Sequence, residues 1–189
     1  AGCGKRVRAQ LPQANRSGWG SRLSALLATM HAVLFVSRRG LHWWVHEVLE
    51  APSSLGTVQK HVEEISDALE PGYHLVTRAV QSAEHVGCDE TGWRLGRLPY
   101  WIWVVQSQHA VLYSIHKGRT TEVAKQLLES CQATTLCTDR YAAYHWLEIS
   151  RHQYCRAHLL RDWEGLAQRA GPLGVFGKQL VKLEQELHQ

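Results

Sequence analysis

The feature that most constrains the fold is a change in the spacing of apolar residues near residue 84. Before it, they recur with the 3.6-residue period of a helix face; after it, they come in short runs separated by turn residues, as strands do. Leu23, Leu26, Leu27, Met30, Val33 and Leu34 share one helical face. A second helix is expected over Leu41 to Leu49. Pro52-Ser53-Ser54 offers a cap for a third, in which Val58, Val62, Ile65 and Leu69 fall on one side. These signals predict an all-α, helix-turn-helix-like region, and they suit a plain helical bundle equally well.

Charge sets this region apart. The first 46 residues hold seven of the chain's 21 Lys and Arg and none of its 17 acids, a balance of +7 against −3 for the remainder. A basic arm of this kind suits a polyanion, above all nucleic acid, and an anionic membrane or bulk solvent less well. Lys5, Arg6, Arg8, Arg16, Arg22 and Lys60 are the candidate DNA contacts. The longest apolar stretch, Leu23 to Val36, is broken by Ser24, Thr29 and His31 and does not predict a membrane span. Five cysteines form no paired framework and no secretory signal is visible, so a reducing cytoplasm is expected.

After residue 84 the runs His85–Asp89, Tyr100–Val105 and Ala110–Ile115 predict a three-stranded antiparallel meander whose middle strand is buried on both faces. A helix over Thr121–Ser130 and a strand over Thr134–Thr138 follow. Three strands, a helix and a further strand begin a ribonuclease H-like mixed sheet, with the first and fourth strands side by side. The expected fold class is therefore α/β, an incomplete ribonuclease H-like sheet preceded by the helical region. In that arrangement Asp89 and Asp139, each expected at a strand end, become neighbours. Paired carboxylates of this kind can hold the divalent metals of phosphoryl transfer. Each aspartate also has an ordinary use, Asp139 as the cap of a helix at Tyr141 and Asp89 as the opening of a turn at Thr91-Gly92.

The segments Asp89-Glu90-Thr91-Gly92-Trp93-Arg94, Thr138-Asp139-Arg140-Tyr141-Ala142-Ala143-Tyr144 and Cys155-Arg156-Ala157-His158-Leu159-Leu160-Arg161-Asp162 narrow the choice. With their order and spacing, the chain resembles the insertion-sequence sixty-six family of bacterial transposases over essentially its whole length. The resemblance implies a DDE transposase that cuts DNA and transfers strands. Asp89 and Asp139 match its first two catalytic, metal-binding acids, with Mg2+ or Mn2+ as cofactor and transposon ends and target DNA as partners. It further implies association of like chains and a bacterial, nucleoid-associated location. The family's third acid, a downstream glutamate in an Asn-Asn-x-x-Glu-Arg setting, has no counterpart here. Glu164, Glu184 and Glu186 read instead as solvated charges on helices whose buried face is Leu166, Leu180, Leu183 and Leu187.

The family's N-terminal zinc ribbon is represented only by Cys3-Gly4-Lys5-Arg6, and one cysteine cannot close a Zn2+ site. A chain trimmed at both ends is therefore expected: residues 1–16 a ribbon remnant and basic arm, 17–80 a helical DNA-binding region, 84–189 a partial catalytic domain. Alone it should be inactive or nearly so, and a DNA-binding remnant is the alternative. Cys155 and His158 form a C-x-x-H pair that supplies two zinc-ligand types, or else a structural cysteine with a hydrogen-bonded histidine. Arg140 joins them as an accessory candidate. Trp93 and Trp146, near the aspartates in sequence, are candidates for stacking on unpaired bases.

Overall fold

The computed structural model describes residues 19–187, so Lys5, Arg6, Arg8, Arg16 and the ribbon remnant lie outside the described residues. The chain divides into two compact units between Pro71 and Gly72. The first holds α1 (Ser21–Ala32), α2 (Arg38–Glu47) and the start of α3 (Leu55–Gln81). Leu27, Leu41, Val45 and Val58 form its buried centre, with Trp19, Leu23 and Met30 against them. α1 ends two residues before the apolar face read from the sequence does, leaving Val33 and Leu34 exposed. Phe35, at φ 55°, turns the chain there. Ser37 and Ser54 cap the next two helices, accepting from Gly40 and Thr57 N–H at 3.1 Å. Inside α3, Pro71 has no N–H to give the carbonyl of residue 67.

The second unit is a five-stranded mixed sheet in the order β3-β2-β1-β4-β5. Its strands are β1 (His85–Leu95), β2 (Leu98–Gln106), β3 (Val111–His116), β4 (Thr135–Thr138) and β5 (His152–Tyr154). The first three form the expected antiparallel meander, and β4 runs parallel to β1 beside it. β5, which no sequence signal announced, adds in parallel to β4. Its three residues are too few to show a period. Between β3 and β4 lies α4 (Thr121–Leu128), capped by Thr120. A short 3-10 turn (Ala142–Tyr144) follows β4, and α5 (Arg156–Ala167) and α6 (Pro172–Glu186) close the described chain.

One sheet face carries the core: Val86, Cys88, Trp103, Val105 and Leu112 pack with Val80, Ala124, Leu128 and Tyr144. β2 was expected to be buried on both faces, yet Tyr100, Ile102 and Val104 on its other side are only half-buried. Asp89 does not end its strand either; it is the fifth residue of an 11-residue β1. β1 continues because Thr91 to Leu95 pair with Leu98 to Ile102 through a tight turn that Gly96 makes at φ 62°.

The last two helices depart most from the sequence reading. Leu183 and Leu187 are exposed, whereas Gly174, Gly177 and Glu184 are buried. α5 and α6 approach through backbone: a methyl group on Gly177 would sit 2.4 Å from Ala167 N. Glu184 is no solvated charge, since it accepts a hydrogen bond from Arg156 within this contact.

Candidate active site

Strand pairing brings the two aspartates together. Gly87 pairs with Cys137 across parallel β1 and β4, and Asp89 and Asp139 each stand two residues further along. Alternation points both away from the core face. Together they line a cavity of about 480 Å³ with Gly87, Gln106, Cys155 and His158. Asp89 is exposed and accepts from the Glu90 N–H at 2.9 Å. Asp139, with 17% of its side chain exposed, is held more firmly. Its Oδ1 accepts from Tyr141 N–H at 2.9 Å, a bond two residues on that holds the turn, while the 3-10 turn that follows has Tyr141 at its N-cap and no side-chain cap. Its Oδ2 accepts from Arg119 at 3.3 Å.

Arg119 was not legible in the sequence, and its position depends on Glu90. Glu90 follows Asp89 and therefore points to the opposite face, where its side chain is wholly buried. A buried carboxylate requires partners on both oxygens. Arg119 Nε donates to one at 2.5 Å and the Tyr144 hydroxyl donates to the other. Burial pushes the Tyr144 phenol far above its ordinary range, so it stays protonated and remains a donor. Burial likewise pushes the Cys88 thiol beside it up to about 12. The Arg119 guanidinium lies 3.6 Å from the Tyr141 ring centre and 5.2 Å from that of Trp101, and Tyr141 OH donates to its carbonyl at 2.9 Å. The signal that could have found it is Glu90 itself: with β1 continued past Asp89, this acid falls on the face of Cys88, opposite Trp103, and has to be paired.

Cys155 and His158 flank the carboxylates at the start of α5. Burial raises the Cys155 thiol, but hydrogen bonds from His158 outweigh it and leave the thiol easier to ionise than usual. That same bond, aided by the charges of Asp89 and Asp139, raises His158, which therefore holds its proton to higher pH. Among the described residues no three His, Cys, Asp or Glu side chains are grouped to hold a metal, and Cys155 and His158 stand as a pair joined by their own hydrogen bond. Arg140 pairs with Asp162 and Arg156 with Glu184, so neither is a free cation. Trp146 is half-buried against the core, unlike exposed Trp93. Arg22 and Lys60 are exposed on α1 and α3.

For a magnesium ion the donor set is suitable, since that ion commonly takes one or two carboxylates and fills its remaining positions with water and substrate phosphates. Asp89 and Asp139 are the residues that would hold it.

A mixed sheet of this order, with an antiparallel meander at one edge and parallel strands at the other, is of the ribonuclease H-like class. The chain belongs to the Transposase IS66 family, whose family model matches residues 16–188. No curated protein matches it. Among solved structures it is similar to the HTLV-2 integrase catalytic core domain in complex with magnesium, at 16% identity and a TM-score of 0.31, over 53% of this chain and 83% of that one. It is also similar to a chain of the simian T-cell lymphotropic virus intasome in complex with PP2A regulatory subunit B56 gamma. There the identity is 12% and the TM-score 0.35, over 75% of this chain and 58% of that one.

Proposed function

We propose that the chain performs the DNA chemistry of a DDE transposase, with Asp89 and Asp139 as two of its metal-binding acids, residues 84–189 as catalytic region and residues 17–80 as DNA-binding region. The observation that carries this reading is the meeting at one cavity of Asp89 on β1 and Asp139, one residue past the end of the neighbouring parallel strand β4. Divalent magnesium bound there would activate a water or a 3′-hydroxyl and stabilise the leaving oxygen. The chain's own residues prepare the place. Asp139 is fixed by Tyr141 N–H and Arg119, and Asp89 is left open to the cavity. His158, which holds its proton more readily than a free histidine, supplies a cationic donor for a phosphate oxygen. Duplex DNA is the partner, with a second copy of the chain beside it.

Among the described residues Asp89 and Asp139 are the cavity's acids. That favours slow turnover by the chain on its own and keeps a second reading in view, a DNA-binding protein without chemistry. Oxidative footprinting separates the two. Fe2+ added with ascorbate and peroxide in place of magnesium cuts DNA close to where it is bound and needs no third acid. A localised cut on bound duplex that vanishes in Asp139→Asn supports the transposase reading. DNA bound without any localised cut supports the second.

A further inference from the structure

The β1–β2 hairpin runs on past the rest of the sheet. β4 reaches β1 only at residues 85–87, and β3 leaves β2 at Trp101, so residues 93–100 form a two-stranded arm beside which the described residues place no third strand. Directly opposed residues of an antiparallel pair share a face. Trp93 opposes Tyr100 and Leu95 opposes Leu98, and alternation puts all four on the face that carries Asp89. Three of them are strongly exposed, Trp93 at 46%, Leu95 at 62% and Leu98 at 59%. Arg94 and Arg97, also exposed, are the charged residues between Thr91 and Tyr100, and no acid balances them.

Resting on the transposase reading, we infer that this arm is a DNA-contacting finger that holds the duplex beside the cleavage site. An aromatic and aliphatic ridge suits a wedge against bases or sugars, and two unbalanced arginines suit the flanking phosphates. The strand acts as a ruler. At about 3.3 Å per residue, Trp93 stands roughly 13 Å and Leu95 roughly 20 Å along the strand from Asp89. With a rise of about 3.4 Å per base step, the contact falls about four to six base pairs from the phosphate at the aspartates.

The test measures binding of a fluorescent 30-base-pair duplex to the full chain by anisotropy over a range of salt. The Arg94→Ala/Arg97→Ala double variant is expected to lower the slope of log affinity against log salt by about 1.8, two phosphate contacts' worth. Trp93→Ala is expected to weaken binding about tenfold and leave the slope unchanged. A photo-cross-linking residue at Leu98 should mark DNA about four to six base pairs from the Fe2+ cut. All these positions lie outside the core, and unchanged circular dichroism confirms each variant's fold. Unaltered affinity and slope in the variants, with the parent chain still binding DNA, overturn the finger alone. Variants that change self-association and not DNA affinity also overturn it, making the ridge a contact between copies. Failure of the parent chain to bind any DNA defeats the transposase reading and the finger with it.

Discussion

Glu90 and Arg119 show how neighbouring residues on one strand serve different ends. Asp89 faces the cavity while Glu90, one position on, faces the core and fixes the arginine that reaches Asp139. Arg119→Ala would leave a buried carboxylate without its cation. We expect it to destabilise the second unit by about 3–5 kcal/mol, measured by urea denaturation. Combining it with Glu90→Gln should recover much of that loss, because the two residues act as one unit. A double-variant loss equal to the sum of the single losses would show them to be independent. The motif Asp89-Glu90 was visible in the sequence, but the network was not. Arg119 sits 29 positions from Glu90, in the loop between β3 and α4, and only the folded sheet brings them together.

Among the elements, α3 and the α5–α6 pair carry the sharpest consequences. His61 is buried on α3 with its ring against Trp19, 4.8 Å between centres. Burial lowers its pKa against smaller opposing pulls from the Ser24 backbone and the Glu64 charge. A histidine kept neutral by the fold contributes stability that is fully present above its unfolded pKa, near 6.5, and is lost as pH falls through its lower folded value. The melting temperature should therefore drop below pH 6.5 in the parent chain. It should change less over that range in His61→Phe, and an identical fall in both would exclude His61 as the cause. In the other pair, Gly177→Ala would force the backbones of α5 and α6 apart, costing about 1–3 kcal/mol by chemical denaturation. A neutral outcome would mean that the helices slide to accommodate a methyl group. Helix period failed here for a physical reason: it assumes that leucines mark the buried face, whereas these helices meet through Gly174 and Gly177 with Glu184 paired inside. Apolar runs and turn residues did place β1 to β4, although Glu90 to Leu95 extended β1 beyond the expected end and β2 is buried on one face only.

At the scale of the molecule, the sheet order is what turns two distant aspartates into neighbours. The order of strands and helix was readable from punctuation and period, and that order places the first and fourth strands side by side. The parallel fifth strand, the shelter of Asp139 and the projecting arm were not readable, since each depends on which elements meet in space. Among the described residues no helix is long and apolar enough to cross a membrane. The aspartate pair as a divalent-metal site is the claim on which the proposed chemistry turns. Its decisive measurement is titration of Mn2+ into the chain, with free ion followed by electron paramagnetic resonance, for the parent, Asp89→Asn and Asp139→Asn. We predict one or two bound ions in the parent and a loss of affinity of at least tenfold in each variant, since each removes one of the carboxylate charges that draw the ion. Equal Mn2+ affinity in all three proteins would contradict the central claim.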